Sequence, residues 1–363
     1  MKQKERGPAE KYDVVIVGSG PAAASAARAL TGHDVKTLIV ERERLPRYKM
    51  CSGILFPSAI KLVSEDFGEI PAGALCEPLR IKGNRVGTAL DSPILEAPFS
   101  VFDEGADLPE DGYNARRPEL DHWLCSRSDA SILDRCTFQS LREGDGELIV
   151  GVQHEGRKIE IRAQYLVGAD GTRSKVRRVL ARDFEKTLRI IPNYEEWYRG
   201  SIDLEAGWLY LFFDRKVTGY FASLFHKDDL IIAVTGEQAH GSVKKTFAEY
   251  VGFLEQRHGL VMEERVASYG CSVHDMSATG NYFLGRDRVL LAGEAGGFNR
   301  CGEGITSALI SGRAAGRSIL ESLETGKPVA ELYARGVAAE MEACNRVNHL
   351  IEQVVGLNPF TRD

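Results

Sequence analysis

The sequence predicts an α/β protein of two lobes: a three-layer domain around a parallel sheet, and a second, mainly antiparallel β-sheet domain. Residues 14–17 are apolar and mostly β-branched, like a buried parallel strand, and a glycine turn and an alanine-rich helix over residues 22–30 follow. Residues 289–292 repeat the strand-and-turn pattern ahead of another long helix. Between them, residues 190–236 are rich in aromatic and β-branched residues, which is typical of an antiparallel sheet. We therefore expect the first domain to be Rossmann-like and built from discontinuous segments.

The glycine turn after the first strand has the spacing of a dinucleotide-binding site. Gly18 permits a tight turn, Gly20 lets backbone amides approach a pyrophosphate, and Ala23 lets the helix pack closely on the strand. Pro21 and Ala22 begin the helix, whose free N–H groups and dipole favour negative charge. These five residues are the first candidates for cofactor binding.

An acidic residue at the end of the next predicted strand strengthens this interpretation. Glu41 follows the predicted strand 36–40 at the distance expected of an acceptor for the adenosine ribose hydroxyls, and Arg42 comes next. The alternative is an ordinary α/β unit with a surface glutamate. The combination of glycine turn and acidic residue favours a dinucleotide site, with Glu41 and Arg42 as further candidates.

The rest of the chain supplies the remaining elements of both lobes. Apolar periodicity, proline and glycine set their bounds. In chain order the sequence predicts a helix over 57–63, short strands within 76–110, a helix beginning near Pro118, a hairpin of strands 147–150 and 158–161, a strand over 165–167, helices over 243–256 and 305–323, and a helix pair or one long helix from Pro328 onward.

Composition excludes several classes of function. The chain has 363 residues, of which 27% are charged, and a formal net charge of −6, which argues against a nucleic-acid partner. Residues 1–10 lack the apolar core of a signal peptide, and no run approaches the roughly 18 apolar residues of a membrane span. We expect a cytoplasmic protein, compatible with peripheral membrane contact. Its seven scattered cysteines predict reduced thiols, with neither a metal site nor disulfides.

Four sequence blocks in this order resemble the FAD-dependent oxidoreductases of the p-hydroxybenzoate hydroxylase fold, and within them the geranylgeranyl reductase family. They are Gly18-x-Gly20-x-x-Ala23 with Glu41, Arg117-x-x-Leu120-Asp121, Gly168-Ala169-Asp170-Gly171, and Gly293-Glu294-Ala295 with Gly302-Glu303-Gly304-Ile305. The loop ending in Cys51-Ser52-Gly53 points to the same family. The resemblance covers roughly residues 11–320. It implies bound FAD, an FAD-binding domain over 11–75, 101–180 and 271–325, a substrate domain over 76–100 and 181–270, and a C-terminal helical segment over 326–363.

The resemblance also implies further cofactor-binding residues. Arg117 would lie near the FAD phosphates, because a guanidinium pairs well with phosphate, and Asp170 would position the cofactor's surroundings. Glu294 stands where the family usually has an aspartate that holds a ribityl hydroxyl. If the helix from Ile305 points at the flavin, its N-terminus would stabilise the reduced anionic ring. The full set added by the resemblance is Cys51, Ser52, Arg117, Asp170, Gly293, Glu294, Gly302, Gly304 and Ile305.

Cys51 is the strongest candidate for a catalytic residue. Family members carry a cysteine at this place, which could donate a proton to the carbon opposite the one that receives hydride; otherwise it is a small pocket-lining thiol. Tyr220, His226 and Tyr48 are alternative proton donors, and the weaker candidates are Cys271 and His274. The substrate sheet lacks the tryptophan of the family's aromatic motif, although Tyr220, Phe221 and Phe225 would still supply an apolar wall.

The sequence thus predicts an enzyme that reduces carbon–carbon double bonds in an apolar, isoprenoid-type molecule. Two alternatives stay open: a monooxygenase that hydroxylates an aromatic or related small molecule, and a flavin electron-transfer protein. No second glycine motif for a nicotinamide cofactor is visible, so electrons would come from transiently docked NAD(P)H or a ferredoxin-type protein.

Overall fold

The computed structural model describes residues 11–87, 93–101, 103, 105, 107–237, 241–274, 281–300 and 303–354. Its strands, in chain order, are β1 (Lys11–Val17), β2 (Thr37–Val40), β3 (Ile54–Leu55), β4 (Leu75–Ile81), β5 (Asn84–Gly87), β6 (Leu95–Ala97), β7 (Gly112–Ala115), β8 (Ser131–Leu133), β9 (Cys136–Gly144), β10 (Glu147–His154), β11 (Arg157–Gly168), β12 (Ile190–Ser201), β13 (Leu209–Phe212), β14 (Ala222–Lys227), β15 (Leu230–Gly236), β16 (Val261–His274), β17 (Gly285–Arg286) and β18 (Val289–Leu291). The helices are α1 (Pro21–Leu30), α2 (Pro57–Phe67), α3 (Arg117–Ser126), α4 (Lys175–Leu180), α5 (Val243–His258), α6 (Ile305–Thr325), α7 (Val329–Gly336) and α8 (Ala338–Val354).

A parallel sheet forms the middle of the first lobe, in the order β18-β11-β1-β2-β8. Alternate residues of β1 enter two cores: Val14 and Ile16 pack toward helices α1 and α6, whereas Val15 and Val17 pack toward the antiparallel β9–β10 hairpin. A helix layer, the parallel sheet and a hairpin layer therefore make three layers, which confirms the predicted fold class.

The strand predictions for residues 158–161 and 165–167 were wrong in one respect, because both segments belong to the single strand β11. Its first part pairs antiparallel with β10, and its second part pairs parallel with β1. The C-terminal segment forms a helix pair, α7 and α8, which is one of the two alternatives that the sequence predicts.

Helices α1 and α6 cross at very short range. A side chain at Gly312 of α6 would place its Cβ 2.2 Å from the carbonyl oxygen of Ala22, and one at Gly316 would lie 2.6 Å from that of Ala26. Ser25 Oγ donates a hydrogen bond of 2.7 Å to the carbonyl of Leu309. This packing fixes the N-terminus of α1, where the glycine turn ends.

The second sheet has the order β16-β12-β15-β14-β13-β5-β6, mostly antiparallel. One face packs on α5, through Tyr210 and Leu224 among others. The other face carries Phe225 and Ile232, which pack with Ile54 of β3 in the small sheet β3-β7-β4. The second face is therefore turned toward the loop that contains Cys51. No helix in the described part of the chain is long and apolar enough to cross a membrane.

Candidate active site

The glycine turn leaves room for a ligand at the N-terminus of α1. Gly18 has φ +106°, and a Cβ there would lie 2.4 Å from the carbonyl oxygen of Ala169, so this position excludes a side chain. At Gly20 the nearest atom to an added Cβ is Nη2 of Arg47, 3.8 Å away. Pro21 begins the helix. An open helix N-terminus beneath a guanidinium fits the pyrophosphate of a dinucleotide.

Glu41 is buried beside this turn. Its Oε2 accepts hydrogen bonds from Ser19 Oγ at 2.6 Å and from Arg47 Nε at 3.3 Å, and its Oε1 accepts from the amide of Glu43 at 2.9 Å. Arg42, by contrast, is exposed, with its guanidinium 3.5 Å from Glu43. The structure thus brings Glu41 to the glycine turn and leaves Arg42 at the surface. The assignment of both to cofactor binding stays a prediction.

A buried ion cluster continues from Arg47 to the start of α3. Arg117 donates to both carboxylate oxygens of Asp121, with Nε–Oδ1 at 2.9 Å and Nη2–Oδ2 at 2.8 Å, and Arg47 Nη1 reaches Oδ2 at 3.0 Å. Burial alone would raise the pKa of Asp121, but the Arg117 guanidinium and then Arg47 hold that pKa below its ordinary value. The sequence analysis selected Arg117 and missed Arg47, although Arg47 stands closer to the glycine turn.

The late glycine block packs against the same place. Gly293 has φ +59°, and a Cβ there would lie 3.1 Å from that of Ala22. Glu294 accepts hydrogen bonds from Thr172 Oγ1 at 2.8 Å and from Asn299 Nδ2 at 3.2 Å. The block therefore adjoins the start of α1, and Glu294 offers carboxylate oxygens within a polar cluster.

Asp170 has the contacts of a helix cap. Its oxygens accept hydrogen bonds from Ser174 Oγ at 2.6 Å and from the amides of Lys175 at 2.7 Å and Val176 at 3.3 Å, which order the start of α4. Any effect of Asp170 on the cofactor would therefore be indirect, through the conformation of this turn.

The start of α6 is capped by a buried carboxyl group. Glu303 Oε1 accepts hydrogen bonds from the amides of Ile305 at 3.0 Å and Thr306 at 2.9 Å. An added Cβ at Gly304 would meet nothing within 4 Å, so there is open space beside this helix end. Gly302 lies outside the described residues. Sequence reasoning gave Glu303 no role of its own.

We expect Glu303 to make stability depend on pH. Burial raises its pKa from an ordinary value of 4.5 to about 7, against the opposing effect of the Thr306 amide and the charge of Arg300. Because the folded protein holds this proton more tightly than the unfolded chain, stability should fall as the pH rises from about 4.5 to about 7, by an amount on the order of 3 kcal/mol. Melting temperatures measured from pH 4.5 to 8 should show this fall in the native protein and a much flatter profile in Glu303→Gln.

The matched control for this prediction is Glu324→Gln, which changes an exposed carboxylate on the same helix. It should keep the native profile. A profile that falls equally in Glu303→Gln would contradict the assignment.

Two buried cations, Arg117 and Lys227, interact with Cys51. The thiol accepts a hydrogen bond from the amide of Gly53 at 3.3 Å, and Arg117 is within hydrogen-bonding reach of it. On another side is Lys227, whose ammonium donates to Asn114 Oδ1 at 2.8 Å and to the carbonyl of Ala115 at 2.6 Å. Burial lowers the pKa of Lys227. The structure therefore joins Cys51 to the ion cluster and to the second sheet.

The structure places Ser52, Tyr220 and His226 in three different surroundings. Ser52 Oγ accepts a hydrogen bond from the amide of Ile54 at 3.4 Å, and the side chain is half-buried in the same loop as Cys51. Tyr220 is 1% exposed and packs with Ile191 in a small cluster of its own. His226 precedes Lys227 on β14, so its side chain projects from the opposite face, and burial lowers its pKa. Among the predicted catalytic residues, Cys51 is the one that the contacts join to the cluster around the glycine turn.

An aromatic cluster faces the Cys51 loop from the second sheet. The ring of Tyr48 lies 4.1 Å from that of Tyr269 and 5.5 Å from that of Trp197, measured between centroids. Glu195, on the same face of β12 as Trp197, accepts hydrogen bonds from the Tyr48 hydroxyl and, at 2.9 Å, from Trp197 Nε1. Sequence reasoning named Tyr48 but missed the other three. The available signal was acidic residues within the aromatic run 194–198.

The two weaker candidates both lie on β16. Cys271 is two residues along from Tyr269 and pairs with Asn193. Burial raises its pKa to about 12, and charges on Lys49, Glu294 and Glu195 also act on it. His274 is buried, with Nε2 3.2 Å from the carbonyl of Thr172, next to Glu294.

The chain is similar to known FAD-binding proteins. The family model of an FAD binding domain matches residues 116–295. Digeranylgeranylglycerophospholipid reductase 2 of Methanosphaera stadtmanae is 24% identical over 86% of this chain and 79% of its own. A geranylgeranyl bacteriochlorophyll reductase-like structure from Thermoplasma acidophilum superposes with a TM-score of 0.74 at 18% identity, covering 97% of this chain and 92% of that one. The p-nitrophenol 4-monooxygenase of Pseudomonas putida has a TM-score of 0.71 at 14% identity, covering 96% and 91%.

Proposed function

We propose that the chain, an FAD-dependent oxidoreductase similar to the geranylgeranyl reductases, reduces carbon–carbon double bonds of an apolar, isoprenoid-type substrate. The observation that carries the proposal is an apolar wall that includes Ile54, three residues after Cys51 in the chain. Phe56, Trp197, Leu211 and Val234 are only partly buried and pack on the fully buried cluster that contains Phe225. Partly exposed apolar side chains next to a proton-bearing group suit a hydrocarbon substrate.

The residues present fit FAD. Open space at Gly20 and Gly304, Arg47 above the turn, and the acceptors Glu41 and Glu294 would hold its phosphates and hydroxyls. Bound and reduced, FAD supplies hydride chemistry. We propose that electrons arrive from docked NAD(P)H or from a ferredoxin-type protein, as the sequence predicted.

In this proposal the chain's own contribution is the proton. Adding hydrogen across a double bond needs a hydride on one carbon and a proton on the other, and we propose that Cys51, a half-buried thiol three residues before Ile54 of the apolar cluster, donates that proton. Arg117 and Lys227 would stabilise the thiolate that remains.

Cys51→Ala should slow the reaction of the reduced protein with substrate by about 100-fold or more, because a positioned general acid typically contributes 10²–10⁴-fold. The purified holoprotein would be reduced anaerobically with dithionite and mixed with a geranylgeranyl lipid while the oxidised flavin band is followed. Reoxidation by the lipid in the native protein, slowed in Cys51→Ala, supports the proposal. The dithionite reduction itself should be unchanged.

A parallel sample in air-saturated buffer tests the rival function. The shared fold with p-nitrophenol 4-monooxygenase makes a monooxygenase the second candidate. Rapid reoxidation by oxygen alone, with no reaction with the lipid, would favour it and direct the search to aromatic substrates. Reoxidation by one-electron acceptors alone would instead favour an electron-transfer protein.

A further inference from the structure

A cavity of about 320 Å³ lies in the helix layer, away from the glycine turn. The second half of α1, the end of α2 and the middle of α6 line it, through Arg28, Asp66 and Arg317 among others. Arg28 follows Gly20 by eight residues, which is about 12 Å along α1. The cavity is therefore separate from the place where we expect the FAD pyrophosphate, and it has the volume of a small ligand pocket.

Two of the arginines that line this cavity have no acidic partner. Arg28 donates through Nε to the backbone carbonyl of Asp66, and this is its one hydrogen bond among the described residues, so its two Nη groups are free. Arg317 is exposed, and within the described part of the chain its guanidinium has neither a hydrogen bond nor an ion pair. Both groups can therefore donate to a ligand without breaking an existing ion pair.

The two carboxylates at the cavity are paired with a third arginine. Arg313 Nη1 lies 3.4 Å from Asp66 Oδ2 and 4.0 Å from Glu65 Oε2. Three guanidinium groups against two carboxylates leave a net positive charge in the lining. An anion is thus the ligand that the charges of this cavity favour.

The C-terminal end of α2 is the feature that would oppose an anion, because the last carbonyls of a helix carry partial negative charge. Two of these carbonyls are already engaged. The carbonyl of Asp66 accepts from Arg28, and that of Phe67 accepts from Arg127 Nε at 3.1 Å. The negative end of α2 is therefore largely compensated by arginines before any ligand binds.

We propose that this cavity binds a phosphomonoester, either a small soluble molecule or the headgroup of an anionic lipid. A guanidinium is planar and permanently charged, and its paired N–H groups match the oxygens of a phosphate. Arg28 on α1 and Arg317 on α6 would bind the phosphate from two sides, and the imidazole of His33 adds a third polar group. Ala29 and Leu320 line the cavity as well and would contact the apolar part of the ligand.

Calorimetric titration of the FAD-loaded protein tests this site, because bound FAD keeps the probes out of the glycine turn. The soluble probes are inorganic phosphate and glycerol 3-phosphate at neutral pH. The lipid probes are phosphatidylcholine vesicles with and without phosphatidic acid, and their binding is followed by co-sedimentation. The variants are Arg317→Gln, which removes a side chain without a partner, and the double variant Arg28→Gln, Arg317→Gln. The matched control is Arg157→Gln, which removes an exposed arginine at the start of β11, in the hairpin layer.

The native protein is expected to bind either the soluble phosphates or the vesicles that contain phosphatidic acid. Arg317→Gln should weaken that binding by about tenfold or more, because a hydrogen bond to a charged group is lost, and the double variant should abolish it. Arg157→Gln should bind like the native protein. Binding of the soluble probes identifies a small molecule as the ligand, and binding of the acidic vesicles alone identifies a lipid headgroup.

Two results would overturn the proposal: no binding of any probe by the native protein, or binding that Arg317→Gln and the double variant leave unchanged. The flavin spectrum and the melting temperature of each variant verify that it is folded. Arg317→Gln decides the matter even if the double variant does not fold, since the exposed Arg317 side chain has no partner to lose. Because no flavin reaction is followed, these outcomes are independent of the proposed double-bond reduction.

Discussion

Arg117→Met is expected to destabilise the protein by about 3 kcal/mol and to abolish retention of FAD. Arg117 is 4% exposed and holds both oxygens of the buried Asp121. Without it, Arg47 at 3.0 Å is the one side-chain donor to Asp121 among the described residues, and a largely unpaired carboxylate stays in the interior. Denaturant unfolding measures the stability, and the flavin absorbance that survives gel filtration measures cofactor retention.

The double variant Arg117→Met, Asp121→Leu separates the two effects. Replacing both members of a buried ion pair with apolar residues is often neutral or stabilising, so most of the lost stability should return. FAD retention should not return, because the Arg117 guanidinium, which the family resemblance implies lies near the FAD phosphates, is still missing. A double variant that retains FAD like the native protein would show that Arg117 serves only Asp121.

The sequence predicts those elements in which the pattern of buried and exposed residues stays the same from one end to the other. The parallel strands β1 and β18 and the helix α6 are of this kind. Strand β11 is not, because its two parts have different surroundings. Where the strand pairs with β10, residues 157–160 are exposed or half-buried and residues 161–163 alternate in burial, whereas residues 165–168 are all buried between β1 and β18. A change of period within one strand looks in the sequence like two strands.

The candidate site also has one part that could be predicted from the sequence and one that could not. The proximity of Glu41 to the turn of Gly18 and Gly20 could be predicted because a dinucleotide site is built from neighbouring strand, turn and helix. The bond between Tyr48 and Glu195 joins positions 147 residues apart, and its existence depends on which face of β12 meets the first lobe. Patterns along the sequence do not specify that pairing.

The aromatic wall gives a particular example. The resemblance led us to expect a tryptophan on the same strand as Phe225, where the sequence has none. Trp197 of β12 pairs with Ile232, which pairs with Phe225, and all three belong to one apolar cluster. The indole thus reaches the wall from another strand, which only the register of the sheet reveals.

Gly312→Ala is expected to destabilise the protein by about 1–3 kcal/mol and to weaken FAD binding by about tenfold or more. The new Cβ would lie 2.2 Å from the carbonyl oxygen of Ala22, which is backbone and must move with α1. That movement displaces the helix N-terminus at Gly20, where we place the pyrophosphate.

Gly252→Ala in α5 is the matched control, since its Cβ would meet nothing within 4 Å. It should stabilise the protein by about 0.5–1 kcal/mol, because alanine loses less backbone entropy than glycine in a helix, and leave FAD binding unchanged. Denaturant unfolding and flavin titration of both variants measure these effects. Equal FAD affinity in the two variants would mean that the α1–α6 crossing holds the lobe together without positioning the cofactor site.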